Sequence, residues 1–124
     1  MNELKSYFDN AKGLGVMATS DKDGNVNAAV YSRPHFMEDD TVAFIMRDRL
    51  THHNLQSNPQ AAFLFVEEGS GYNGKRLYLN KVREEENSEL ISDISRRQYP
   101  KPPGDDRFLV FFKIDNVLPL IGGA

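Results

Sequence analysis

FIMRDRLTHHNLQSNP, residues 44–59, is the stretch from which the rest of the chain can be read. Its left end closes an apolar run, Thr-Val-Ala-Phe-Ile-Met over residues 41–46, which reads as a strand. Its right end, residues 50–58, reads as a short helix stopped before Pro59. Thr51 stands where a helix N-cap is expected. Arg47 and Arg49 come just ahead of it. A helix N-terminus already carries about half a positive charge from its macrodipole, so two guanidinium groups there are unfavourable without an anion. A strand ending in Arg-x-Arg that opens a Thr-capped helix therefore reads as a phosphate cup. Its parts are free backbone N–H groups, a hydroxyl and a bidentate cation. The alternative is that both arginines point into solvent and Thr51 only caps.

The flanking sequence supplies hairpins. Residues 2–12 read as an amphipathic helix, with Leu4, Tyr7, Phe8 and Ala11 on one face and Gly13 as a stop. Residues 15–20 are a short apolar strand, Asp21 to Gly24 a tight turn, and residues 25–33 the return strand. That return strand has Val26, Ala28 and Val30 on one face, and Pro34 disturbs it or marks an edge. Residues 61–66 are again strand-like. The loop after them contains Gly69-x-Gly71-x-x-Gly74, formally a dinucleotide fingerprint. A strand follows, Arg76 to Arg83, where the fingerprint requires a helix, so a glycine-rich hairpin loop is the better reading.

Asn87 or Ser88 caps a helix reaching Gln98, and the Pro-rich residues 99–106 form a loop. Residues 108–114 (FLVFFKI) look the most buried strand, and the tail 117–121 is too apolar to hang free. The sum is about six strands and three short helices, joined more by hairpins than by crossovers. A small antiparallel barrel closes such a set with few open edges.

At 124 residues the chain fits one domain with a real core. It is 40% hydrophobic and 27% charged, the balance of an ordinary globular protein. A net charge of −3 gives no general attraction for nucleic acid or an anionic membrane. The absence of cysteine excludes disulfides and thiolate metal sites. No apolar run approaches the roughly 20 residues that span a bilayer, and the N-terminus is too polar for a signal peptide, so a cytoplasmic location is the expectation.

His52 and His53 are adjacent on a helix and point about 100° apart, so they do not share a metal as an i, i+4 pair would. Glu84-Glu85-Glu86 sits at a strand-to-helix corner and reads as solvated acid near a helix N-terminus. No G-x-S-x-G elbow and no general acid or base stands out. Tyr31 is the candidate for contact with a planar ligand, because its strand leads toward the phosphate cup in a hairpin barrel.

These residues resemble the flavin-binding split barrels of the pyridoxamine-phosphate-oxidase-like superfamily. The matching features are Gly15-Val-Met-Ala-Thr-Ser20, Asp23-Gly24 and Asn27-Ala-Ala-Val-Tyr31, then Val42-Ala-Phe-Ile-Met46 and Thr51-His-His-Asn-Leu55 running into Asn58-Pro59. The likeness covers residues 3–85, with a looser fit over 108–120. It implies a mainly β fold with short helices, a six-stranded antiparallel split barrel forming a single domain over residues 1–124. It also implies FMN held at a homodimer interface. The phosphate would lie at Arg49, Leu50 and Thr51, and the isoalloxazine ring along Ala28, Ala29, Val30 and Tyr31 and along Ile45, Met46 and Arg47. Many members place a basic pair where this chain has Leu50-Thr51, which leaves Arg49 to supply the charge. The C-terminal substrate signature of the true pyridoxamine-phosphate oxidases is absent, so that reaction is not implied.

The expectation is a flavin-dependent oxidoreductase that passes electrons from a reduced nicotinamide, or another small-molecule donor, to an unidentified acceptor. The alternatives are a flavin or haem carrier or sensor without turnover, or a dimeric scaffold without cofactor. Neither nucleic acid nor membrane is expected as a partner. A deazaflavin or haem in place of FMN remains open on the sequence.

Overall fold

The computed structural model describes residues 2–94 and 106–123. Helix α1 (Asn2–Asn10) is followed by β1 (Gly13–Ser20), β2 (Val26–Tyr31), β3 (His35–Phe36) and β4 (Val42–Arg47). Helix α2 (Leu50–Ser57) leads to β5 (Gln60–Glu67) and β6 (Gly74–Glu86); α3 (Leu90–Ile94) then leads to β7 (Arg107–Pro119). Every strand pair is antiparallel, in the order β2-β1-β5-β6-β7-β4-β3. The sheet curls into a split barrel, with β2 and β3 as its two edges.

There are seven strands among the described residues, against the six expected. The extra one is β3, a two-residue strand behind Pro34 that pairs His35 with Ala43 and Phe36 with Val42. Two residues are too few to show a period-2 pattern in sequence. The expected helix to Gln98 is seen only as far as Ile94; its remainder and residues 99–105 of the expected loop lie outside the described residues.

Register decides which side chains fill the barrel. Met17, Phe63 and Leu77 lie opposite one another across β1, β5 and β6 and are fully buried. On α1, Phe8 packs edge-on to Phe65 at 5.2 Å and tilted against Phe36 and Phe63, plugging one end of the barrel. Phe44 on β4 meets Phe63 at 5.0 Å and Phe112 on β7 at 5.8 Å. A second, smaller cluster of Ala43, Leu109, Phe111 and Ile91 places α3 on the other side of β4 and β7.

The opposite faces of β2, β1 and β5 carry a different set. Val30, Val16 and Leu64 share one register line, and Ala28, Ala18 and Ala62 the next. So Val26, Ala28 and Val30 do share a face, and it points outward: Val26 is 80% exposed and Val30 69%.

The turns follow their chemistry. Asp21 accepts from the backbone N–H groups of Asp23 and Asn25, each at 2.9 Å, and Gly24 adopts φ +87°. The apolar tail does not hang free. β7 pairs as far as Pro119 with Lys75, and the Arg76 side chain donates to the carbonyls of Pro119 and Gly122. No helix among the described residues is long and apolar enough to cross a membrane.

Candidate functional site

Strand β4 ends at Arg47, and α2 begins at Leu50 after two intervening residues. Arg49 is the N-cap, in an extended conformation and without a side-chain cap hydrogen bond. Thr51 is therefore not the cap that the sequence suggested. It lies inside the first turn, only 2% exposed, where its hydroxyl accepts from Asn27 Nδ2 at 3.2 Å. The cap backbone forms the first helical bond, His53 N–H to Arg49 C=O at 2.9 Å. The N–H groups of Leu50, Thr51 and His52 precede that bond and have no intrahelical acceptor. Asn54 Nδ2 donates to Thr19 Oγ1 and Leu55 enters the core, so the body of α2 is fixed to β1.

Beside this turn opens a cavity of about 1090 Å³. Eight of the ten residues expected at a cofactor line it: Ala29, Val30 and Tyr31 from β2, Ile45 and Arg47 from β4, and Arg49, Leu50 and Thr51. Ala28 and Met46 are not among its lining residues. Ala28 lies on the outward face of β2, and Met46 is fully buried in the barrel core. The period of 2 along a strand turns Met46 inward between Ile45 and Arg47, whereas Ala28 shares its outward face with Val30, the one residue of that face of β2 that reaches the cavity.

The lining is cationic. Lys12, Arg33, Arg47, Arg49 and Arg107 face one acidic residue, Glu68, in a chain whose net charge is −3. Arg47 and Arg107 stand opposite each other on β4 and β7. Arg49 has no side-chain hydrogen bond or ion pair among the described residues. Tyr31 sits between this charge and the core, edge-on to Phe44 at 6.5 Å. Burial pushes its phenol up; the Thr51 hydroxyl and the Arg49 charge pull down without cancelling that. The ring therefore stays protonated at neutral pH.

Behind α2 lies a polar cluster that the sequence reading missed. His52 is 6% exposed and stacks on Phe108, ring centroids 3.8 Å apart and planes 17° apart. Its Nε2 is 2.9 Å from Glu84 Oε2. Glu84 also accepts from Lys81 Nζ at 2.5 Å and Gln56 Nε2 at 3.0 Å. Burial works to raise the Glu84 carboxyl, but bonds from Gln56, Lys81 and His52 outweigh it and hold the group at about 2. Glu84 is thus not the solvated acid expected of the Glu84-Glu85-Glu86 run; it is enclosed by three donors at the end of β6. Among the described residues no three His, Asp or Glu side chains are placed to hold a metal.

Asn27, Lys12, Arg33 and Arg107 were also missed as lining residues. Asn27 could have been found, since it alternates with Ala29 and Tyr31 on the inner face of β2. Arg33 continues the same alternation past the end of β2, whereas Lys12 and Arg107 come from elements distant in sequence and have no local signal.

A family model described as pyridoxamine 5′-phosphate oxidase matches residues 3–116. No curated protein matches the chain. Among solved structures, an FMN-binding protein from Syntrophomonas wolfei subsp. wolfei aligns with a TM-score of 0.75 at 21% identity, covering 99% of this chain and 87% of that one. HupZ from Group A Streptococcus gives 0.67 at 20% identity, covering 100% of this chain and 96% of the other. An F420 reductase gives 0.63 at 18% identity, with coverages of 86% and 89%. At such identities the likeness is one of fold.

Proposed function

The chain belongs to the pyridoxamine 5′-phosphate oxidase family, and from that premise we propose that it is a homodimeric FMN-binding split-barrel protein, a single domain over residues 1–124, that works as a flavin-dependent oxidoreductase. The observation that carries the reading is the meeting, in one cavity, of an Arg49 with no ion pair among the described residues, the open first turn of α2 and an apolar wall from β2 and β4. Those parts suit a phosphate joined to a flat ring system. Arg49 and the N–H groups of Leu50 and Thr51 would hold the phosphate, with charge-assisted bonds and the helix dipole acting together. Ala29, Val30, Tyr31 and Ile45 would flank the ring. Met46 would act from the core, behind the lining, and Ala28 from the outward face of β2.

A bound flavin supplies the two-electron chemistry itself. The chain's residues orient it and set its surroundings. Tyr31 stays a neutral donor, and the cations favour any negative charge that develops beside them. The electrons would come from a reduced nicotinamide or another small donor and pass to a small acceptor. The Syntrophomonas wolfei protein is described as FMN-binding and another neighbour as a reductase, which supports the direction of this reading.

The test is a parallel titration with FMN and riboflavin. FMN should bind at least about ten-fold tighter, the worth of one charge-assisted hydrogen bond. Equal affinity would remove the phosphate site from the argument. The visible spectrum of the purified protein, with the mass of whatever heat releases, separates FMN from a deazaflavin or haem. Bleaching by a nicotinamide donor separates an enzyme from a carrier.

A further inference from the structure

One cofactor phosphate does not account for the positive charge in this cavity. Along β2 the inner-face residues run Asn27, Ala29, Tyr31, and Arg33 follows. Asn27 is bonded to Thr51, so that end of the strand lies at the first turn of α2. Arg33 is six residues further on and precedes Pro34, which favours extended backbone. At about 3.3 Å per residue, Arg33 is roughly 20 Å along the chain from Asn27. Lys12 reaches the same region from the turn between α1 and β1, where its carbonyl accepts from Glu68 N–H.

Arg33 is half-buried, and its Nη1 donates to the Phe8 carbonyl in the last turn of α1. That bond pins the guanidinium and leaves its other N–H groups for another acceptor. Among the described residues no carboxylate lies within ion-pair distance of Arg33, and no hydrogen bond or ion pair holds the Lys12 ammonium. Elsewhere Lys5, Lys81 and Arg83 are each matched with acids. Glu68 lines the same end and lowers its potential, but it is exposed and makes no ion pair among the described residues.

We propose that Lys12 and Arg33 form a second anion subsite, which takes the phosphate or carboxylate group of a co-substrate bound beside the cofactor. The role of that ligand rests on the FMN reading; the subsite itself does not. A pinned, half-buried guanidinium with no acid partner among the described residues favours an oxyanion by fixed geometry, and the exposed Lys12 adds a second positive charge.

The experiment titrates the full chain, with and without FMN, with inorganic pyrophosphate and separately with citrate at constant ionic strength. Backbone amide shifts are followed at residues 11–14 and 32–33, and at 47–51 for comparison. Saturable shifts at 11–14 and 32–33 in the FMN-loaded protein are expected with at least one probe. Pyrophosphate alone points to a phosphate-bearing co-substrate, citrate alone to a carboxylate-bearing one. Lys12→Glu should weaken that binding about ten-fold or more at an unchanged melting temperature, because Lys12 is exposed. Arg33→Ala also removes a tie to α1, so Lys12→Glu is the deciding variant. No saturable shift with either probe, the same affinity in Lys12→Glu, or shifts confined to 47–51 would each overturn the proposal. Anion binding at 11–14 without any FMN binding would instead remove the flavin reading and leave the subsite standing.

Discussion

Arg49 stands where α2 already presents its positive end, and nothing among the described residues neutralises it. Arg49→Ala should therefore weaken FMN binding by about 1.5–3 kcal/mol while the melting temperature of the empty protein stays level or rises slightly. A variant that binds FMN as well as the parent would make Arg49 an ordinary surface residue. Thr51 acts differently. As a buried acceptor for the half-buried Asn27, its replacement by Ala removes that hydrogen bond, which costs about 1 kcal/mol of stability. Loss of stability in Thr51→Ala but not in Arg49→Ala is the expected pattern, and equal melting temperatures would contradict the buried role. Glu84 gives a pH signature. Its folded carboxyl is held at about 2, below the ordinary glutamate value of 4.5. Its contribution is complete above that ordinary value and is lost as pH falls toward 2. Glu84→Gln should flatten part of the melting-temperature decline between pH 4.5 and 2. Asp21, Asp39 and Glu85, also depressed, keep the rest of the slope. An unchanged slope would mean that the bonds from Gln56, Lys81 and His52 to Glu84 do not persist in solution.

At the scale of elements, β1 is closely packed where it passes β2 and β5. A Cβ at Gly15 would lie 2.6 Å from the Tyr31 carbonyl oxygen and 2.5 Å from Phe63 Cζ. Gly15→Ala must push β2 or the Phe63 ring aside, with a cost of about 1–3 kcal/mol. Because Tyr31 lines the cavity, FMN affinity should fall together with the melting temperature; a fall in stability alone would mean that the strain is relieved through Phe63. This coupling was invisible in the sequence, where Gly15 is only the start of an apolar run. What could be read was whatever repeats locally. The alternation in β5, the continuous apolar run of β7, the Asp21–Gly24 turn and the strand-to-helix step at Arg47–Leu50 are periodic or local signals. What could not be read depends on partners distant in sequence. Thr51 looks like a cap because the hydroxyl is in the right place; only pairing of β1 with β2 brings Asn27 to bury it. His52 carries no sign of its partners in the local sequence; β6 and β7 deliver Glu84 and Phe108 to it. Eight of the ten expected cavity residues line one cavity for the same reason: they come from two short runs; the strand period turns Met46 into the core, and Ala28 stays on the outward face of β2, of which Val30 alone reaches the cavity.

The whole molecule is asymmetric in its surface. The outward face of β2, β1 and β5 presents Val26, Ala28 and Val30 beside Ala18 and Leu14, all exposed, with Val16, Ala62 and Leu64 half-buried between them. A contiguous apolar sheet face on a chain of net charge −3 is expensive to leave in water, and such patches mark interaction surfaces. It is also continuous with the cavity through Val30 and Leu14, which belong to both. A second copy related by a two-fold axis would cover the patch with an identical one, since a self-complementary surface closes on itself. A stable interface of this kind buries on the order of 1,600 Å² in total. Ala18 tests it best, being exposed, on that face and outside the cavity lining. Ala18→Glu should leave the monomer fold within about 0.5 kcal/mol, as an exposed surface change does. It should convert a dimer mass in light scattering to a monomer mass, because two carboxylates would be buried near the axis without partners. FMN affinity should fall with it if the site is shared between subunits. A parent that is monomeric at micromolar concentration with FMN present, or an Ala18→Glu variant that still dimerises, would show that this face serves something other than a second copy of the chain. A variant that turns monomeric yet retains FMN fully would keep the dimer and place the cofactor within one barrel.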